Sequence, residues 1–115
     1  MYIAVRKYEG ATQLFDLLEQ RESDVRLLIQ DIPGFMAYYL ARTETGGITV
    51  TVCNDRAGAT ESVRLAAEWV RQNAAGIPSS PPEVTEGEVK ISFMGGGPAP
   101  AGAPLQESSG EAVVE

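Results

Sequence analysis

The feature that most constrains the fold of this chain is a pair of strand-like segments separated by two adjacent glycines. Residues 48–53 alternate large apolar side chains with smaller ones, as a strand with one buried face does. Residues 35–43 are rich in aromatic and aliphatic side chains, and Thr45-Gly46-Gly47 lies between the two segments. Because glycine in a short connection favours a hairpin, the sequence predicts two antiparallel strands joined by a turn at 45–47.

Helical periodicity flanks this hairpin on both sides. From residue 12 onward, apolar residues recur at spacings of three, four and seven until a Pro-Gly pair ends the pattern. Glu22 stands where an apolar residue is expected, so this first helix should kink or restart there, with Ser23 as its N-cap. Asp55 is suited to cap a second helix, because its charge favours the positive end of the helix dipole. Small apolar residues predict that this second helix packs closely on a sheet: Ala59, Val63, Ala66, Ala67, Val70 and Ala74.

Two further strand-like segments complete the order of elements. Residues 2–8 carry β-branched and aromatic side chains, and their alternation places Arg6 on one face with Tyr2, Ala4 and Tyr8. Residues 84–94 are long enough to cross the sheet and continue against a second subunit. The order strand, helix, strand, strand, helix, strand is typical of a ferredoxin-like α+β domain. We therefore predict a four-stranded antiparallel sheet with two helices on one face.

The domain is predicted to occupy residues 1–94 and to be followed by a disordered tail. Residues 95–115 are dominated by glycine, proline, alanine, serine and glutamate, which cannot bury a core. A short docking motif at Leu105 or at 112–114 is the alternative role for this tail. A domain this small buries only about two-thirds of the surface that its unfolded chain exposes, so a partner subunit would help to stabilise it.

Composition argues against several classes of function. The net charge of −7 repels nucleic-acid phosphates and anionic lipid surfaces. No stretch approaches the roughly 20 apolar residues of a membrane span, and no secretion-type leader is visible, so we expect a cytoplasmic protein with no nucleic-acid or membrane partner. The single cysteine, Cys53, fits a reducing compartment and is expected to be a buried structural thiol. The absence of histidine removes Ser-His and Cys-His catalytic pairs and the histidine-ligated haem, zinc and iron sites.

Several stretches of the sequence resemble a known family. They are Asp31-Ile-Pro-Gly-Phe-Met-Ala-Tyr-Tyr, the Gly-Gly hairpin, Val52-Cys-Asn-Asp-Arg-Ala-Gly-Ala-Thr-Glu-Ser and Ala66-Ala-Glu-Trp-Val-Arg. Together they are similar to the dimeric α/β barrel superfamily, close to the antibiotic biosynthesis monooxygenase-like (ABM-like) domains. The resemblance implies a homodimer whose two sheets close into a barrel, with a ligand cavity between the helices and the sheet of each subunit. Members include cofactor-free monooxygenases, haem-degrading enzymes, isomerases and proteins of unassigned role.

The sequence departs from the enzymatic patterns of that family at two points. Haem-degrading members use a histidine ligand, which this chain lacks, and the tryptophan that is frequent at the end of strand three is replaced by Cys53-Asn54. Function does not transfer with a fold. We therefore expect an uncharacterised small dimeric α/β barrel protein that binds a small apolar or aromatic ligand between helices and sheet, with no metal and no cofactor. The alternative is a cofactor-independent monooxygenase acting on an aromatic polyketide-like substrate, for which the sequence assigns no catalytic residue.

Five residues are candidates for contact with a ligand: Arg6, Tyr38, Tyr39, Asn54 and Trp69. Oxygenation without a cofactor needs a dry pocket and hydrogen bonds that favour a substrate anion, which such side chains can supply. Tyr38 and Tyr39 are adjacent on a strand and point to opposite faces, so only one of them can line a given cavity. Three candidates also have a structural interpretation: a salt bridge for Arg6, a turn or cap for Asn54, and packing in the core or a dimer interface for Trp69.

Overall fold

In the computed structural model of this chain, residues 1–95 are described, and this part forms four strands and three helices. None of these helices has the length and apolar character that a membrane crossing requires. In chain order the elements are β1 (Tyr2–Glu9), α1 (Thr12–Gln20), α2 (Glu22–Gln30), β2 (Phe35–Thr43), β3 (Gly46–Cys53), α3 (Arg56–Asn73) and β4 (Glu83–Glu88).

The four strands form one antiparallel sheet in the order β2-β3-β1-β4. This order, with the first and third strands at the centre, confirms the predicted ferredoxin-like fold. Asp55 caps α3 as predicted, because its Oδ1 accepts a hydrogen bond from the backbone N–H of Gly58 at 3.0 Å. Alternation along the two central strands buries one set of side chains beneath the helices: Ala4, Arg6, Tyr8, Thr49, Thr51 and Cys53.

The sheet face opposite the helices carries large apolar side chains that nothing in residues 1–95 covers. Val50 lies at its centre, directly opposite Val5 on one neighbouring strand and Tyr39 on the other. Tyr39 is 58% exposed. We call this surface the open face and define it by six residues: Ile3, Val5, Tyr39, Ile48, Val50 and Val52.

The first predicted helix is two helices, so the helical layer has three members rather than two. α1 ends at Gln20 and α2 begins at Glu22, close to the place where the apolar stripe is interrupted. The prediction of Ser23 as the cap was wrong, because the N-cap position is Arg21 and no side chain caps this helix. The guanidinium of Arg21 instead pairs with the Asp24 carboxylate. Glu22 is thereby left exposed rather than directed into the core.

The hairpin joins the predicted strands, but its turn is Glu44-Thr45 and both glycines belong to β3. Their role is close packing rather than turning. A methyl group on Gly46 would lie 2.0 Å from the carbonyl oxygen of Tyr8, and one on Gly47 would lie 2.2 Å from the Phe15 ring. A strand glycine often marks such a close approach.

The last strand is shorter than the predicted 84–94, because β4 ends at Glu88. Its pairing with β1 ends where Glu88 lies opposite Tyr2, the first residue of that strand. One more backbone hydrogen bond follows, from the Val89 N–H to the Met1 carbonyl at 2.8 Å. Beyond it, the chain leaves large apolar side chains 80–87% exposed: Ile91, Phe93 and Met94.

The predicted domain boundary at residue 94 and the predicted tail fall at and beyond the end of the described residues. Residues 96–115, which include Leu105 and the 112–114 segment, lie outside them. Both statements therefore stay predictions.

The core lies between the helices and the sheet, and its densest contact is under α1. Leu14 and Phe15 are fully buried there, and the Phe15 ring meets the Tyr8 ring edge to face at a centroid distance of 5.4 Å. Phe15 thus occupies the space that the absent side chain of Gly47 leaves above β3.

Replacing Gly47 with alanine should destabilise the fold, because the added methyl overlaps the Phe15 ring and the core has little room to yield. We expect the free energy of unfolding in urea to fall by roughly 1–3 kcal/mol. Gly76→Ala is the matched control, since no atom lies within 4 Å of its added methyl group. Equal urea midpoints for the two variants would show that the contact with Phe15 does not limit packing.

Candidate functional site

A cavity of about 20 Å³ lies between the helices and the sheet, and we call it the inner cavity. This volume holds roughly one water molecule. The sheet contributes its polar groups, Arg6, Tyr38 and Thr49. The remaining wall is almost wholly apolar: Tyr8, Leu18, Val25, Leu28, Ile29, Ala66, Trp69 and Val70. Side chains therefore fill most of the space in which a ligand was predicted.

A much larger space adjoins the inner cavity on the side of α3 and β4. This outer groove has a volume of about 340 Å³, which lies within the usual range for small-molecule sites. Arg6, Tyr8 and Val70 line both spaces, so these three residues form the boundary between them. The rest of the groove is formed by Val63, Ala67, Ser79, Ser80, Pro81, Pro82 and Val84.

A second groove, of about 320 Å³, adjoins the inner cavity on the opposite side, between α2 and β2. It shares Val25, Ile29 and Tyr38 with that cavity. Its rim carries exposed charged and amide side chains, including Glu22 and Arg26, which are hydrogen-bonded to each other at 3.0 Å. Glu22 and Arg26 neutralise each other, so this groove presents no unpaired charged group to a ligand from these two residues. The outer groove does, at Arg6.

Arg6 is the most unusual residue of the site, because it is a charged side chain that is only 3% exposed. Its Nε and Nη1 atoms are buried and have no hydrogen-bond partner within residues 1–95. The salt bridge considered from the sequence does not form there: the arginines paired with carboxylates in this part of the chain are Arg21, Arg26, Arg42 and Arg64. The inner end of the outer groove therefore carries a positive charge that no carboxylate of the described residues neutralises.

Tyr38 lies on the helix-covered face beside this charge. Burial raises the pKa of its phenol above 10.0, and the positive charge of Arg6 and hydrogen bonding with the Arg6 and Thr49 side chains oppose that rise. The Thr51 hydroxyl shares this face and is buried without a hydrogen-bond partner in the described residues. Thr49 is the residue directly opposite Arg6 on β3. The site thus combines one cation with several neutral hydroxyl groups.

Trp69 forms part of the wall of the inner cavity from α3, and it is 8% exposed. The guanidinium of Arg21 lies 5.5 Å from the centroid of its ring, within the distance of a cation–π contact. Asn73, one turn further along α3, accepts a hydrogen bond from Arg21 and donates one to the Trp69 carbonyl. Trp69 is therefore held in place by the junction between α1 and α2.

The structure brings together three of the five candidates, Arg6, Tyr38 and Trp69, and leaves two apart. Tyr39 is on the open face, on the opposite side of the sheet. Asn54 is exposed at the end of β3, where its backbone N–H donates to the Gly34 carbonyl at 2.8 Å. The structural interpretation of Asn54 as a turn residue fits this position, since Gly34 has a φ of +81° and its space is bounded by the Asn54 side chain.

The sequence analysis did not identify the residues that form the outer groove, nor the hydroxyl groups of Thr49 and Thr51. The alternation of residues 48–53 places Thr49 and Thr51 on the face of Arg6, so their burial could have been inferred from the register of β1 and β3. The outer groove could not have been inferred from the sequence, because it forms only where the 77–82 connection folds back beside α3. That segment has no periodic pattern of apolar residues from which its path could be predicted.

Within residues 1–95 the site contains no clear nucleophile or general base. Cys53 is fully buried beside Gly58, where burial and then the charge of Asp55 raise the pKa of its thiol above 9.0. It does not line the inner cavity or the outer groove. The prediction that this thiol is buried is confirmed. The site can bind and orient a molecule and can stabilise a negative charge on it.

No family model matches the chain, and no curated protein matches it closely. Solved structures do match. A protein of unknown function from Nitrosomonas europaea is 22% identical, with a TM-score of 0.58, over 84% of this chain and 94% of that one. The monooxygenase from the ActVA-Orf6 gene of Streptomyces coelicolor, solved with nanaomycin D, is 14% identical with a TM-score of 0.60, over 83% and 92%. The haem degrader MhuD of Mycobacterium tuberculosis, solved with two haems, is 17% identical with a TM-score of 0.62, over 82% and 100%.

The chain has the ferredoxin-like α+β fold of these solved structures. The resemblance stated from the sequence motifs is thereby confirmed for the fold. The residues of this chain do not fit haem, because its 115 residues include no histidine to hold the iron and the inner cavity is about 20 Å³.

The stability of this domain should decrease at alkaline pH. Tyr38 and Cys53 both have a folded-state pKa above their ordinary values of 10.0 and 9.0, so the folded chain holds these protons more tightly than the unfolded chain does. Their contribution to stability is complete below about pH 9 and is lost as the pH rises through the folded-state values. Urea unfolding of the wild type and of Tyr38→Phe between about pH 8 and pH 11 tests this. The variant should lose less stability above about pH 10, and identical pH dependences would contradict the assignment.

Proposed function

We propose that this protein binds a small aromatic or apolar ligand in the outer groove, at the side of the helix layer that borders β4. The observation that carries this proposal is the junction of a groove of about 340 Å³ with the buried, unpaired side chain of Arg6. Apolar walls with a few convergent polar groups are the usual composition of a small-molecule site. The groove has both.

The inner cavity alone is too small for an aromatic ring, since it holds roughly one water molecule. The ring system of a ligand would therefore lie in the outer groove, against Val63, Ala67 and Val84. Only a substituent of a few atoms would reach past Arg6 and Tyr8 into the inner cavity. The solved structures of this fold that hold nanaomycin D or haem support a ligand-binding role without identifying the ligand.

Filling the outer groove should abolish ligand binding. Ala67→Phe places a ring in the groove, whereas Ala57→Phe makes the same change on an exposed part of α3 outside it. With naphthol as the probe, we expect micromolar to millimolar binding by the wild type and by Ala57→Phe, and at least a tenfold loss in Ala67→Phe. Calorimetry gives the affinity, and the fluorescence of Trp69, the sole tryptophan, reports on the neighbouring inner cavity. Equal affinities in both variants would place binding elsewhere.

Cofactor-independent oxygenation of an aromatic substrate is the second candidate function. It is favoured by the position of Arg6 beside Tyr38, because a cation next to a phenol can stabilise a substrate anion before that anion reacts with oxygen. Oxygenation also needs water to be excluded. The largest spaces here are surface grooves, so binding without catalysis is the primary proposal. An oxygen electrode distinguishes the two when ligands found by calorimetry are added, since a binding protein consumes no oxygen.

The protein is also proposed to be a homodimer, formed through the open face. This face presents six apolar or aromatic side chains that no element in residues 1–95 covers. The segment after β4 supports the same arrangement, because Ile91 and Phe93 are more than three-quarters exposed and have no strand beside them. A contiguous exposed apolar surface marks an interaction site.

A charge at the centre of the open face should dissociate the dimer. Val50→Lys places an ammonium group where Val5 and Tyr39 meet, and burying it against a second copy would be strongly unfavourable. Leu27→Lys is the control, because Leu27 is 60% exposed on α2, in the helix layer. Sedimentation should show a dimer for the wild type and Leu27→Lys and a monomer for Val50→Lys. A monomeric wild type would refute the dimer proposal.

The cytoplasm is the proposed location. The support is the single thiol, which is buried and unpaired within the described residues and does not require an oxidising compartment.

A further inference from the structure

We propose that the ligand of this protein is an organic oxyanion, a carboxylate or a phenolate attached to a small ring system, and that Arg6 is the residue that selects it. This inference rests on the proposed ligand-binding function and specifies the chemical class that the outer groove accepts. The observation behind it is the pair of buried guanidinium nitrogens that have no partner within residues 1–95.

Arg6 differs from the paired arginines of this chain in both burial and partnership. Arg42, for example, donates from Nε to Glu19 and from Nη2 to Asp16 at 2.6 Å each, and its side chain remains partly exposed. Arg6 is 3% exposed, and the residues opposite it on the two neighbouring strands are Thr49 and Val84. Neither carries a charge. The carboxylate next along the same face of β4 is Glu86, which lies opposite Ala4 and accepts a hydrogen bond from Thr60 rather than pairing with Arg6.

A buried charge without a counter-ion destabilises a folded protein. Functional sites commonly hold such unfavourable groups, because the ligand supplies the missing interaction. The polar atoms around Arg6 support this, since the hydroxyls of Tyr38 and Thr49 line the inner cavity beside it. All of them can donate hydrogen bonds to oxygen. The group that would satisfy them together is therefore a negatively charged oxygen.

The two volumes determine how the ligand would lie. Arg6 and Tyr8 line both the inner cavity and the outer groove, so an oxyanion at Arg6 would have its ring system directed into the groove. There the ring would contact Val63, Ala67 and Val70. One or two rings fit a volume of about 340 Å³. The net charge of −7 gives no long-range attraction for an anion, so selection must come from these local contacts.

The test compares naphthoate with its neutral amide, naphthamide, by calorimetry on the full chain. These probes have the same ring system and nearly the same shape, so they differ mainly in charge. Wild type should bind naphthoate more tightly, and Arg6→Gln should weaken naphthoate binding roughly ten- to hundredfold while changing naphthamide binding little. Nitrophenol, measured below and above its ionisation, shows whether a phenolate is accepted as well as a carboxylate.

The stability of the unliganded protein provides an independent measurement. Because Arg6→Met removes a buried charge that nothing in residues 1–95 compensates, its urea midpoint should be higher than that of the wild type. Naphthoate should raise the wild-type midpoint and leave that of Arg6→Met unchanged. Circular dichroism establishes that each variant is folded. A lower midpoint for Arg6→Met would mean that Arg6 supports the fold, and would overturn the inference.

The remaining outcomes separate this inference from the proposed function. Equal binding of naphthoate and naphthamide by the wild type would overturn the oxyanion inference and leave the ligand-binding proposal standing. The same holds if Arg6→Gln weakens both probes equally. Failure of naphthol, naphthoate and naphthamide alike to bind would refute the proposed function, and the inference with it.

Discussion

The structure depends on the small size of the side chains that the two central strands present to the helices. Ala4 on β1 and Gly47, Thr49, Thr51 and Cys53 on β3 form a low surface on which the helices can approach closely. Phe15 uses this space directly, since its ring covers Gly47. Arg6 and Tyr8 are large exceptions on that surface, and both are buried and line the inner cavity. The inner cavity lies where these two residues interrupt the close packing.

Most of the fold could be predicted from local sequence patterns, and the differences arise where pairing or tertiary contact decided the outcome. Strand two had the predicted bounds because its composition and the Pro-Gly pair before it act locally. The hairpin glycines were assigned to the turn by the same local rules, but close contacts with Tyr8 and Phe15 explain their position in β3. β4 stops at Glu88, the residue opposite the first residue of β1, and the extent of this pairing depends on the partner strand rather than on the sequence of β4.

Part of the site was predicted, because the alternation of side chains along a strand determines which face each residue lies on but not which residues of other elements it contacts. Alternation assigned Arg6 to one face of β1 and separated Tyr38 from Tyr39, and the register then brought Arg6 next to Thr49. It could not show that Arg6 lacks a salt bridge, because that depends on which residues of other strands and helices lie nearby. Asn54 was grouped with the site because an amide side chain can hydrogen-bond to a substrate anion, but the residue lies at the end of β3 and lines a different groove.

The acidic character of β4 has a consequence for how copies of this chain can associate. An edge strand with free backbone groups invites another strand to pair with it, and sheets can grow without limit in this way. β4 is six residues long and carries Glu83, Glu86 and Glu88, so two copies brought together along this edge would repel each other. At the other edge, the irregular register between Phe35 and Ala37 on β2 disturbs the regular spacing that a new strand would need. The two edges thus disfavour fibrous aggregation.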